Sequence, residues 1–84
     1  MTEEGSPESE RLLLAMHNYG VVHERASKTI QELVQLTKIS VEQLAGVLRE
    51  YEESGYVKSF TDSDGLRRYY LTGMGMIRVS SAFT

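Results

Sequence analysis

Two helix-start signals only eleven residues apart constrain this chain more than any other feature. Thr29-Ile30-Gln31-Glu32 and Ser40-Val41-Glu42-Gln43 each place a hydroxyl residue three positions before Glu or Gln. In that pattern the side chains at either end of the first helical turn can satisfy backbone donors reciprocally. The helix begun at Thr29 must therefore stop before Ser40. Ile30, Leu33, Val34 and Leu36 give it an apolar face, which leaves Thr37-Lys38-Ile39 as a three-residue turn. The next helix carries Val41, Leu44, Val47, Leu48 and Tyr51 as its buried stripe, and Gly55 closes it. A short helix, a tight turn and a longer helix in direct succession form a helix-turn-helix unit.

Another helix precedes this unit. Ser6 can cap it, Pro7 suits its first position, and Glu8 and Glu10 favour the positive end of its dipole. Leu12, Leu13, Met16 and Tyr19 recur at helical spacing, and Gly20 is the expected left-handed cap. Residues 21–28 connect it to the unit, with a short extended piece expected near Arg25-Ala26-Ser27.

Beyond Gly55 the period changes from helical to alternating. Residues 56–60 alternate, Thr61-Asp62-Ser63-Asp64-Gly65 is a turn with an Asp-Gly pair, and residues 66–71 alternate again, which predicts a hairpin. Thr72 can cap a final helix over about 73–82, although Gly73 and Gly75 each cost about 1 kcal/mol relative to alanine inside a helix. The fold class is thus mainly α with a small β-hairpin: a three-helix core, a two-stranded wing and a short C-terminal helix. Residues 1–5 are expected to be a disordered acidic tail and 6–84 a single domain, since 84 residues leave no room for two cores.

The order of elements and two segments resemble the winged helix-turn-helix domains of prokaryotic transcription regulators of the MarR, PadR and ArsR kind. One segment is Leu48-Arg49-Glu50-Tyr51-Glu52-Glu53-Ser54-Gly55-Tyr56-Val57, which looks like a recognition helix running through glycine into the first wing strand. The other is Arg68-Tyr69-Tyr70-Leu71-Thr72-Gly73-Met74-Gly75, similar to the Tyr-x-Leu-Thr-x-x-Gly signature that ends the second wing strand in these families. The resemblance implies a DNA-binding transcriptional regulator, with the third helix (41–54) in the major groove and the wing (56–71) on the backbone. It implies no subfamily, operator or ligand.

Candidate DNA contacts follow from chemistry and position. Gln43 can pair with adenine, and Arg49 can reach guanine or a phosphate. Ser40 and the first amides of its helix can hold a phosphate, as can Lys28 and Thr29 at the preceding helix. On the wing, Lys58, Arg67 and Arg68 are the basic residues, and alternation places Lys58 and Arg68 on one outer face with Tyr70. Tyr69 and Leu71 are expected on the inner face.

The charge pattern complicates this reading. The net charge is −3, although DNA-binding domains are usually basic. Residues 1–27 carry a balance of −3, residues 28–55 of −2, and residues 56–84 of +2. Ala45-Gly46 stand where relatives commonly place a serine and an arginine, and Glu42, Glu50, Glu52 and Glu53 add negative charge nearby. These glutamates also fit a solvated helix face. A winged-helix protein–protein interaction module without specific DNA binding is therefore the alternative function.

Other chemistries find little support. There is no cysteine, so no disulfide framework or cysteine-ligated zinc is possible. His17 and His23 lack ligand spacing, and no nucleophile motif or phosphate loop is present. The expectation is a non-enzyme with no catalytic or metal residues, no cofactor and no inferable small-molecule ligand. No membrane contact is expected, and the absence of cysteine fits a cytoplasmic protein. The expected partner is double-stranded DNA. The expected assembly is a homodimer through the first helix and Ile77, Val79 and Phe83, with Met74 and Met76 packing or adapting at that contact.

Overall fold

The computed structural model describes residues 7–83, with side chains over 8–81. The expected tail at 1–5, the Ser6 cap and the Phe83 contact lie outside the described residues. The elements run α1 (Pro7–Asn18), β1 (Lys28–Thr29), α2 (Ile30–Thr37), α3 (Val41–Ser54), β2 (Val57–Thr61), β3 (Arg67–Leu71) and α4 (Gly73–Phe83). The strands form one antiparallel sheet in the order β1-β3-β2.

Local chemistry explains most of these boundaries. At Thr29 both halves of the capping box form: the Glu32 amide donates to Thr29 Oγ1 at 3.2 Å and the Thr29 amide to Glu32 Oε1 at 2.9 Å. The Ser40 box is only half made. Ser40 Oγ accepts from the Gln43 amide at 3.2 Å, but the Gln43 side chain meets the Ser40 hydroxyl instead of its backbone N–H. Between the two helices, Lys38 takes the left-handed conformation at φ 63° and its amide closes α2 on the Val34 carbonyl. Gly55 does the same for α3 at φ 84°.

Two expectations about strands change. Glu24–Ala26 form a single 3-10 turn instead of an extended piece, tied by the Ser27 hydroxyl donating to the Glu24 carbonyl at 2.7 Å. The extended segment comes just afterwards, as β1, and pairs with β3 in the register Lys28↔Tyr69 and Thr29↔Arg68. The two-stranded wing therefore belongs to a three-stranded sheet that reaches back to the entry of α2.

The core joins all layers. Leu12, Leu13 and Met16 of α1 meet Leu33 of α2, Leu44 and Leu48 of α3, Val57 and Leu71 of the sheet, and Val79 of α4, all buried. Two aromatic and apolar residues expected in the core are not there. Tyr19 follows the last turn of α1 and is 61% exposed, and Val41 opens α3 a full turn before Leu44 and Leu48 and is 42% exposed. Tyr51 is buried, and burial pushes its hydroxyl pKa up against the opposing hydrogen bond with Ser9.

Thr72 joins β3 to α4 in two ways. Its hydroxyl accepts from the Gly75 amide at 3.0 Å, capping the helix, and donates to the Gly55 carbonyl at 2.6 Å. The end of α3 and the start of α4 are thereby held together.

Candidate nucleic-acid interface

The outward side of α3 is what the helix-turn-helix presents to a partner. Leu44, Leu48 and Tyr51 face the core, so Glu42, Gly46, Arg49 and Glu53, spaced by three and four residues, form the opposite stripe and are exposed. Gln43 and Arg49 are six residues apart, which places them roughly 120° apart around the axis, one on each flank of the stripe. The flank carrying Gln43 borders a cleft of about 460 Å³ between α1 and α3, where Glu8, Glu42 and Glu50 gather. One flank is thus acidic. The other carries the unpaired Arg49.

The three-residue turn adds a cation that residue-by-residue reading of the helices passed over. Lys38 is exposed beside Ser40, whose hydroxyl and following amides open α3. Its place in the turn was legible; its left-handed backbone, which holds it there, was not.

The basic wing residues separate into different roles. Register places Lys58 opposite Tyr70 and Phe60 opposite Arg68, so Lys58, Phe60, Arg68 and Tyr70 share one face, as alternation predicts. The Phe60 and Tyr70 rings meet edge to face at 6.4 Å between centroids. Lys58 is exposed on this face. Arg68 is mostly covered and makes hydrogen bonds to Ser27 and Asp62. Arg67 lies on the other face and pairs with Glu52 at 3.5 Å. Of the remaining candidates, Ser40, Gln43 and Arg49 are exposed, Lys28 is half-buried on β1, and Thr29 is buried with its hydroxyl committed to the α2 cap.

The count of free cations follows. Among the described residues, Lys28, Lys38, Arg49 and Lys58 make no ion pair or side-chain hydrogen bond, whereas Arg67, Arg68 and Arg78 each bind a carboxylate. Asp62 is also committed. Its carboxylate accepts the Leu66 and Asp64 amides at 2.9 and 2.8 Å, and these bonds, with Arg68, hold its pKa below the usual carboxylate value. Among the described residues, no group of three or more His, Asp or Glu could hold a metal ion, and no helix is long and apolar enough to cross a membrane.

No protein-family model matches the sequence, and no curated protein matches it. Solved structures do match. TubR from Bacillus megaterium aligns with a TM-score of 0.82 at 15% identity, over 94% of this chain and 87% of its own. A MarR-family transcriptional regulator from Silicibacter pomeroyi aligns with a TM-score of 0.78 at 20% identity, over 90% of this chain and 48% of its own. The fold is a winged helix-turn-helix.

MepR of Staphylococcus aureus, in a structure of its complex with DNA, aligns with a TM-score of 0.74 at 15% identity, over 92% of this chain and 60% of its own. The chain thus spans about half the length of the MarR-family regulator. In this winged helix-turn-helix α3 occupies the place of the recognition helix, and β2–β3 form the wing.

Proposed function

We propose that this winged helix is a DNA-binding transcriptional regulator acting as a cytoplasmic homodimer. Helix α3 enters the major groove and the wing lies on the backbone. The observation that carries the reading is the distribution of unpaired cations. Each element that a winged helix turns toward a duplex keeps one: Lys38 in the turn, Arg49 on α3 and Lys58 on the wing. The structural likeness to MepR, a protein with a known DNA complex, supports the same reading.

Phosphate contacts come from Lys38, Lys58 and Lys28, with the Ser40 hydroxyl and the first amides of α3. Base contacts come from Arg49 and Gln43, and Arg49 carries the larger share because the Gln43 flank is acidic. With Ala45 and Gly46 offering no side-chain hydrogen bond, most of the affinity is electrostatic and insensitive to sequence.

The test is a titration with duplex DNA across a range of salt. Three phosphate contacts per protomer give a slope of about −2.7 in log affinity against log salt. Absence of binding at low salt overturns the proposal.

A further inference from the structure

We infer that Arg68 and Glu52 are positioning residues that clamp the wing from its two faces and set its angle to α3, leaving the wing's own phosphate contact to Lys58. The inference rests on the DNA-binding reading for its consequence, but the clamp itself is a matter of geometry.

On one face, every nitrogen of the Arg68 side chain is engaged. Nη2 donates to the Ser27 carbonyl at 2.9 Å and Nε to the Ser27 hydroxyl at 3.2 Å. Nη1 lies 3.4 Å from Asp62 Oδ2, and Nη2 lies 3.6 Å from Glu32 Oε1. Ser27 is buried in the segment entering β1, Glu32 completes the α2 capping box, and Asp62 organises the wing tip through the Asp64 and Leu66 amides. One guanidinium therefore connects the wing tip to the start of α2. The planar fork of arginine can bridge these acceptors at once, which a lysine ammonium cannot do with the same geometry.

On the opposite face, Glu52 of α3 accepts from the Ser59 hydroxyl of β2 and from Arg67 Nη2 of β3. One carboxylate thus bridges the recognition helix to both wing strands. A glutamate that would otherwise only repel DNA becomes a strut. A side chain bound in this way gives up these bonds if it turns to a phosphate, whereas Lys58 gives up none.

Four proteins decide the matter: wild type, Arg68→Lys, Arg68→Gln and Glu52→Ala. Each is titrated with one duplex at several salt concentrations, and exchange of the Asp64 and Leu66 amides is followed by NMR. Arg68→Lys keeps the charge but loses the fork, so it is expected to bind about tenfold more weakly. Its salt slope stays at the wild-type value, and its Asp64 and Leu66 amides exchange faster. Arg68→Gln is expected to leave the slope unchanged as well. Glu52→Ala removes a negative charge from the DNA side and is nevertheless expected to bind more weakly.

Wild-type affinity in Arg68→Lys, a slope about 0.9 shallower in Arg68→Gln as one lost phosphate contact would give, or tighter binding by Glu52→Ala overturns the inference. If wild type fails to bind DNA, the regulator reading falls, and amide exchange still decides the clamp. Faster exchange in Arg68→Lys supports it and unchanged exchange overturns it.

Discussion

Gly75 packs against the backbone carbonyl of Tyr56 so closely that a β-carbon on it would collide with that oxygen and reach within 3.0 Å of Leu71 Cγ. A backbone carbonyl and a buried leucine leave no flexible group to yield. Gly75→Ala is therefore expected to destabilise the protein by about 1–3 kcal/mol, the usual effect of overpacking, even though alanine is the better helix former. Chemical denaturation of the two proteins measures it. Gly73, with open space around its α-carbon, serves as the control: Gly73→Ala is expected to be neutral or stabilising.

The same glycine shows where sequence reasoning stopped. As a helix residue it counts against α4; as a contact it is what lets α4 start directly beneath the turn into the wing. The capping residues Thr29, Ser40 and Thr72, the Gly55 turn and the hairpin alternation were legible because they are local. The two-residue strand β1 was not, since two residues carry no period and its partner Arg68 lies about forty residues downstream. The site divides in the same way. Exposed positions on α3 follow from helical spacing, but the commitments of Arg67 and Arg68 to Glu52, Ser27 and Asp62 depend on tertiary contact. Arg68 and Lys58 share a face as expected and have different surroundings there.

Asp62 makes the wing tip sensitive to acid. Hydrogen bonds from the Leu66 and Asp64 amides and the nearby Arg68 favour its ionised form, so its folded pKa lies below the value in the unfolded chain. A depressed carboxyl pKa contributes stability that is present above the unfolded pKa, about 3.9, and is lost as pH falls through the folded value. Thermal midpoints measured from neutral pH down to about pH 2 are expected to fall more steeply below pH 4 in wild type than in Asp62→Asn. Parallel curves would show that Asp62 is not coupled to folding.

The exposed side of α4 is uncharged. Met74 is 57% and Ile77 68% exposed, with Gly73, Ser80 and Ser81 beside them, and the helix's one charged residue, Arg78, pairs with Glu10 at 3.2 Å. For the proposed homodimer, Ile77→Glu is expected to shift sedimentation toward monomer while leaving the helical signal unchanged. Val79 lies in the core at 3% exposure, so it is not available to the interface that the sequence assigned it. Val79→Ala is expected to lower stability, by about 1–3 kcal/mol for a truncated core side chain, without a change in association beyond that loss. Unchanged sedimentation in Ile77→Glu would remove α4 from the interface.

Lys38 allows stability and DNA affinity to be moved in opposite directions. Its backbone is left-handed at φ 63°, a conformation that costs an ordinary residue roughly 1–2 kcal/mol and glycine almost nothing. Glycine gives back part of that gain through the greater entropy of the unfolded chain. Lys38→Gly is therefore expected to stabilise the fold by up to about 1 kcal/mol. It also removes the exposed cation beside Ser40, where the first amides of α3 are proposed to hold a phosphate. Its affinity for duplex DNA is expected to fall at low salt, and the slope of log affinity against log salt to become shallower by about 0.9. A thermal melt and a salt titration of the same sample read both effects. A variant that melts higher yet keeps the full salt slope would remove Lys38 from the proposed DNA contacts while leaving the turn geometry intact.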